Sequence, residues 1–246
     1  MIEDKVHICG VAKDCGKHLK KVFQNIEKIG SLFKNYDITV CFDKSLDQTE
    51  NELLNLQDYF KNININFNLI QKKEEQTNIR TENISNARNA VLDQIYSNTD
   101  YKYKYFIMID LDNINAGEMY LDSLKQVLSY TCEWDAVSFN RKPYYDIWAL
   151  SFDDFSVSCF NFDFIEPFRN FIQNMHTQAK AENRKCEVLG IKELMQIKIT
   201  ERLSNLNSAD LYPVLSAFNG FCIYKKNKFK DCRYSWKVSD NYKFFS

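Results

Sequence analysis

Glycine and proline are scarce, with 6 and 3 among 246 residues, so collagen-like repeats, flexible linkers and many-turned β-sandwiches are excluded, because each needs frequent turn residues. Longer elements must dominate. An excess of charge of either sign is also missing: 32 Lys and Arg against 33 Asp and Glu leave a formal charge of -1, which removes the overall cationic field that attracts nucleic acid or an anionic membrane surface. No run approaches the ~20 apolar residues of a membrane span. Only 3 histidines are present, and the 8 cysteines (Cys9, Cys15, Cys41, Cys132, Cys159, Cys186, Cys222 and Cys232) form no CxxC pair. A tetrahedral zinc site is therefore not expected, and the scatter favours reduced thiols in a reducing compartment. The opening MIEDKVHICGVAKDCG puts acids before its apolar run and does not read as a secretory signal. A soluble, cytoplasmic protein is expected, in a host cytoplasm or a virion if the source is viral. The richness in Lys, Asn and Ile suits an AT-rich genome such as that of a large DNA virus or an AT-rich microbe.

What is present is apolar: 45% hydrophobic and 15% aromatic residues, enough for one sizeable core or two small ones. Val6–Val11 reads as a strand, followed by a loop and a helix with Leu19, Val22, Phe23, Ile26 and Ile29 on one face, stopped by Gly30. Tyr36–Phe42 reads as a second strand, Glu50–Phe60 as a helix presenting Leu53, Leu54, Leu56 and Tyr59, and Ile63–Ile70 as a third strand. The segment ISNARNAVLDQIY then places Ala87, Val91, Leu92 and Ile95 on a helix face, with Ser85 or Asn86 as its cap. Tyr105–Ile109 is a fourth strand. Alternating strands and helices predict an α/β domain with a mostly parallel sheet, whose ligands bind beyond the carboxyl ends of the strands.

The second half is less regular. Helices are expected at Glu118–Tyr130 and Phe168–Glu182, and strands at Ala136–Phe139, Pro213–Phe218 and Phe221–Tyr224, the last two joined by an Asn219-Gly220 turn. Between residues 144 and 171 an aromatic-rich stretch without a clean period is expected to cover a pocket. His7 falls within a strand and is expected in the core, while His18 and His176 are expected on solvated helix faces.

Asp110-Leu111-Asp112 stands where the fourth apolar strand runs out. Carboxylates at i and i+2 there can meet a ribose hydroxyl and a divalent cation, since Mg²⁺ and Mn²⁺ take hard oxygen ligands and share their coordination with substrate phosphates. Arg80 and Arg88 lie just upstream, and a guanidinium can pair bidentately with phosphate.

An ordered set of motifs resembles the nucleotide-sugar half of a GT-A-fold glycosyltransferase. It comprises Ala12-Lys13, Phe42-Asp43-Lys44-Ser45-Leu46-Asp47-Gln48-Thr49, Arg80, Ala87-Arg88-Asn89 and Asp110-Leu111-Asp112. With Trp134-Asp135-Ala136-Val137, Tyr144-Tyr145-Asp146-Ile147-Trp148-Ala149-Leu150 and Phe218-Asn219-Gly220-Phe221 added, the chain is similar to the capsule-associated α-mannosyltransferases of fungi and their viral and bacterial relatives. The likeness spans about residues 5–225. It implies one catalytic domain, with residues 1–113 as the nucleotide-sugar half and 114–246 as the acceptor half.

By that resemblance Ala12, Lys13 and Asp43 border the nucleoside, Arg80 and Arg88 contact donor phosphate or sugar, and Asp110 and Asp112 bind ribose and metal. Tyr144, Tyr145, Asp146 and Trp148 line the sugar and acceptor pocket, and Asn219-Gly220 lets backbone approach the donor sugar. Asp146, Asp153 and Asp154 are unranked candidates for a general base. The cofactors implied are Mn²⁺ or Mg²⁺ and a GDP- or UDP-sugar donor, and the partner is a glycan acceptor. Two departures stand out: Ser151-Phe152-Asp153-Asp154 replaces the Arg-Asp of relatives, and Asp231-Cys232-Arg233 stands where they carry an acidic-Cys-Glu-His stretch. A nucleotidyltransferase would share the fold and the acids but would want a Gly-rich first loop, where Ala12–Gly16 offers one glycine. A noncatalytic glycan-binding module would keep the aromatics without needing Asp110, Asp112 and the arginines.

Overall fold

The computed structural model describes residues 2–72, 77–97, 103–141, 144–152, 158, 162–185, 190–207 and 210–237. The chain divides into two compact units, one of Met1–Val137 with Gly220–Lys237 and one containing Ser138–Asn219.

In the first unit, β1 (Ile2–Ala12), β2 (Phe33–Phe42), β3 (Phe67–Gln71) and β4 (Tyr103–Asp110) are joined through α1 (Gly16–Gly30), α2 (Thr49–Asn62) and α3 (Arg80–Ser97). After α4 (Leu121–Ser129), β5 (Ala136–Ser138) and, much later in sequence, β8 (Phe221–Lys225) complete a sheet of order β3-β2-β1-β4-β8-β5. The first four strands are mutually parallel, and β8 runs antiparallel to β4. The α/β fold class expected from the sequence is the one observed. Right-handed crossovers put α1 and α2 on one face and α3 on the other. Between two helical layers a strand must be apolar on both sides, and Tyr105–Ile109 is buried at every position. Leu19, Val22, Phe23, Ile26 and Ile29 all lie in the core beneath α1.

The second unit holds β6 (Ser151–Phe152) paired antiparallel with β7 (Val214–Ser216), and two helices, α5 (Phe162–Ala181) and α6 (Ile191–Ser204). Its core gathers Tyr144, Ile147, Leu150, Phe152, Ile165, Met195, Ile199 and Leu203. None of the six described cysteines is bridged. Among the described residues no helix is long and apolar enough to cross a membrane.

Several sequence expectations are corrected. On α2 the buried stripe is Thr49, Leu53 and Phe60, while Leu54 and Tyr59 are about half exposed; residues 49, 53 and 60 share a helical face that 54 and 59 do not. Neither Ser85 nor Asn86 caps α3, because the helix begins at Arg80. Ser85 instead lies within it, its hydroxyl donating to the Glu82 carbonyl. Asn219-Gly220 joins no hairpin, since β7 pairs with β6 and β8 with β4. A two-residue type I′ turn needs positive φ at both central residues, and here Gly220 has φ +80 while Asn219 is not among the positive-φ residues. The helix α6 was not expected at all.

Candidate functional site

β1 and β4 are adjacent and parallel, so their carboxyl ends lie side by side at the edge where α/β sheets bind ligands. The Asp-Leu-Asp triplet sits there. Leu111 turns inward and is buried against Gly10 of β1, where an added Cβ would stand 2.7 Å from the Leu111 side chain. Only glycine permits that approach. With the leucine anchored, Asp110 and Asp112 on either side of it stay half-buried.

Both acids are held from below. Asn115 is buried, and its amide donates to the Asp110 carbonyl at 2.9 Å and to the Gly220 carbonyl at 2.8 Å. The Asp110 amide also donates to Gly220. Asn25 of α1 donates to the carbonyls of Asn115 and Gly117, so the loop after β4 is tied to a helix across the sheet edge. Asp112 accepts from the Ile114 amide at 3.0 Å and thereby caps the short 3-10 turn at Asn113–Asn115.

Arg88 comes from the middle of α3, not from a helix start as the sequence suggested, and its Nη2 lies 3.0 Å from Asp110 Oδ1 with both side chains mostly buried. A partly buried guanidinium–carboxylate pair of this kind holds its geometry better than an exposed one. Arg80 is exposed at the first residue of α3.

The loops after β1 and β2 are stitched together. Asp14, at φ 48, donates its amide to Ser45 Oγ and accepts from the Leu46 amide. Asp47 accepts from the amides of Gly16 and Thr49, and the Cys15 amide donates to the Thr49 hydroxyl. The Thr49 hydroxyl bond, ahead of its amide bonds, holds the Asp47 carboxyl below the usual range. Asp43 accepts from the Lys44 amide, and Lys72, almost wholly buried, approaches its other oxygen to 4.0 Å. Ala12 is buried at the end of β1 and Lys13 is exposed. Cys15 opens α1, where a helix N-terminus would normally favour a thiolate. Burial, helped by the charges of Asp47 and Asp112, instead pushes its thiol up to about 11. The site thus carries acids and cations but no thiolate nucleophile at this position.

Among the described residues no group of three His, Cys, Asp or Glu side chains gathers as a metal cage. The pair Asp110 and Asp112 nonetheless fits Mg²⁺ or Mn²⁺, which are bound through one or two carboxylates with substrate phosphates completing the shell.

In the second unit, Tyr144 is buried within the core and its carbonyl accepts from Gln196. Tyr145 and Asp146 are half-buried, and Trp148 is 51% exposed. Asn219, 2% exposed, accepts from the amides of Tyr145 and Asp146 and donates to the Phe139 carbonyl, while its own amide donates to Ser138. It acts as a staple for the Tyr-Tyr-Asp segment. Asp153 and Asp154 lie outside the described residues.

Reading the sequence alone did not single out Asn25, Asn115 or Lys72, and took Asp47 only as part of a longer motif. Asp47-Gln48-Thr49-Glu50 carried a capping signature, an acid three residues before a glutamate. The others gave no local signal.

No protein-family model and no curated protein matches the chain. Among solved structures, the mannosyltransferase PcManGT from Pyrobaculum calidifontis, in complex with GDP-Man and Mn²⁺, is 14% identical at a TM-score of 0.44, over 58% of this chain and 37% of that one. Glucosyl-3-phosphoglycerate synthase from Mycobacterium tuberculosis, in complex with UDP, is 10% identical at 0.41, over 91% and 57%. TarS of S. aureus, residues 1–349 with UDP-GlcNAc, is 14% identical at 0.38, over 60% and 43%. The chain thus spans less than two thirds of each.

Proposed function

We propose that the protein transfers a hexose from a nucleoside-diphosphate sugar, with GDP or UDP as the carrier, to a hydroxyl of a glycan or glycoconjugate. The observation that carries this reading is the Arg88–Asp110 pair, next to Asp112, at the carboxyl end of β4. In the reaction the bond from the anomeric carbon to a phosphate oxygen breaks and one to the acceptor oxygen forms. Negative charge collects on the departing diphosphate, so groups placed to stabilise it lower the barrier.

Arg88 and Arg80 are proposed to meet the phosphates, Asp110 the ribose, and Ala12, Lys13 and Asp43 the nucleoside. A divalent cation seated by Asp110 and Asp112 would neutralise phosphate charge as a Lewis acid. Within the second unit, Trp148 presents the exposed aromatic face that suits the apolar side of a sugar ring. Tyr145 and Asp146, shaped by the Asn219 staple, are proposed to take its hydroxyls, with Tyr144 behind them. Gly220 contributes a carbonyl already committed to Asp110 and Asn115. The acceptor proton passes to a carboxylate, for which Asp146, Asp153 and Asp154 are the candidates, or to the leaving diphosphate. A nucleotidyltransferase is the second reading, favoured only by the shared sheet and acids.

Thermal-shift measurements with Mn²⁺ and a nucleotide panel separate the readings. Stabilisation by GDP or UDP that requires the cation supports transfer from a sugar nucleotide. A preference for ATP or CTP supports nucleotidyl transfer, and no response to any nucleotide supports a glycan-binding module.

A further inference from the structure

Beyond β8 the chain does not leave the sheet but runs back along α3. Asn89 binds the backbone of Tyr234 twice, its amide nitrogen donating to the Tyr234 carbonyl and its oxygen accepting from the Tyr234 amide, both at 2.9 Å. One turn further along α3, Asp93 pairs with Arg233 at 3.2 Å. Residues four apart on a helix share a face, so Asn89 and Asp93 together fix the course of the segment. Its effect is to lay the Tyr234 ring on Arg88, the guanidinium carbon 5.2 Å from the ring centroid. The Tyr234 phenol also shares a hydrogen bond with Tyr224, whose ring stacks on Phe106 at 4.6 Å and 7°. Burial keeps the Tyr234 phenol neutral, with a pKa above its usual value although Arg88 opposes this. The ring therefore offers Arg88 a π face and no counter-charge. A cavity of about 130 Å³, lined by Leu92, Phe106, Tyr224 and Phe229 among others, lies beneath the segment.

Resting on the donor-site reading above, we propose that Tyr234 is a positioning residue: it clamps the Arg88 guanidinium between its ring and Asp110 and so aims it at the donor diphosphate. A long side chain otherwise loses rotamer freedom on meeting its ligand, and stacking removes that freedom beforehand. Cation–π contact supplies the hold without competing for the donor's charge.

Three measurements on the full chain test this. In calorimetric titrations with UDP and GDP in the presence of Mn²⁺, Tyr234→Leu is expected to weaken binding by about tenfold. Affinity for uridine or guanosine, followed by ligand-detected NMR, stays unchanged, and Tyr234→Phe, which keeps the ring, recovers most of the loss. Adding Tyr234→Leu to Arg88→Gln costs nothing further. Equal loss for nucleoside and diphosphate, or additive losses in the double variant, overturns the proposal. In urea unfolding without ligand, the Arg88→Gln and Tyr234→Leu midpoint shifts should sum to more than the double variant shows; strict additivity denies the clamp. Should the wild-type protein bind neither diphosphate, the donor reading fails together with the aim assigned to Arg88, while the urea cycle still decides whether the clamp exists.

Discussion

The two units solve the problem of holding polar groups in place by different means. In the first, a sheet with buried strands fixes the backbone, and the acids sit where the strands end, so Asp110 and Asp112 inherit their positions from Ile107, Met108 and Ile109. In the second, short strands and a modest core leave that work to side chains. The one side chain of Asn219 serves the backbone of Phe139, Tyr145 and Asp146. A layered sheet makes a site robust to its neighbours, whereas a stapled segment depends on single amides.

The contrast predicts where substitutions act. Asp112→Ala should lower sugar-nucleotide turnover by about a thousandfold or more, given that metal and charge stabilisation supply several kcal/mol. Far-UV circular dichroism should not change, because the sheet does not need this side chain. Normal Mn²⁺-dependent hydrolysis of the donor by this variant would refute the site.

His7 lies in the middle of β1, paired with Phe106 of β4. It is buried, its Nε2 lies 2.7 Å from the Thr39 hydroxyl, and desolvation, more than the charge of Lys226 and against that of Asp37, lowers its pKa to about 4. The unfolded chain binds a proton near 6.5 that the folded ring declines. Stability is therefore full above 6.5 and falls as pH drops toward 4, by up to about 3 kcal/mol. Urea midpoints across that window should show the decline, and His7→Asn should flatten it; an unaltered slope would remove His7 as its source.

In the second unit, Asn219→Ala strips bonds from the half-buried amides of Tyr145 and Asp146 and should cost about 2 kcal/mol, read as a lowered urea midpoint. Asn219→Asp, which keeps the accepting oxygen, should cost less. Equal losses would show that the staple's oxygen is not what matters. The smallest effect is expected at Trp148, where Trp148→Ala should raise the acceptor KM by roughly threefold to tenfold, about 1 kcal/mol of stacking. Nucleotide affinity should hold, and equal loss of both would place Trp148 in the fold instead of the acceptor site.

The same contrast governs what could be read in advance. Where strands are buried on both faces and helices carry one apolar stripe, composition and period agree, so β1, α1, β2, α3 and β4 were legible. Where a residue's role lies in a partner distant in sequence, nothing local announces it. Asn25 reaches Asn115 and Gly117, and Asn89 reaches Tyr234. The Asn-Gly pair signalled a hairpin, but the Asn219 amide is used for long-range bonds and the chain passes between units. Helix α6 did offer a signal, since Met195, Ile199 and Leu203 recur every four residues and are buried, yet Ile197 and Thr200 beside them blur the stripe. The acids of the candidate site were legible from their place after an apolar strand. The Tyr234 contact was not.

The most direct measurement is a crystal structure of the protein soaked with Mn²⁺ and a sugar nucleotide. Density for the cation beside Asp110 and Asp112, with the diphosphate against Arg88, is predicted; a donor bound elsewhere, with nothing beside these acids, would contradict the account.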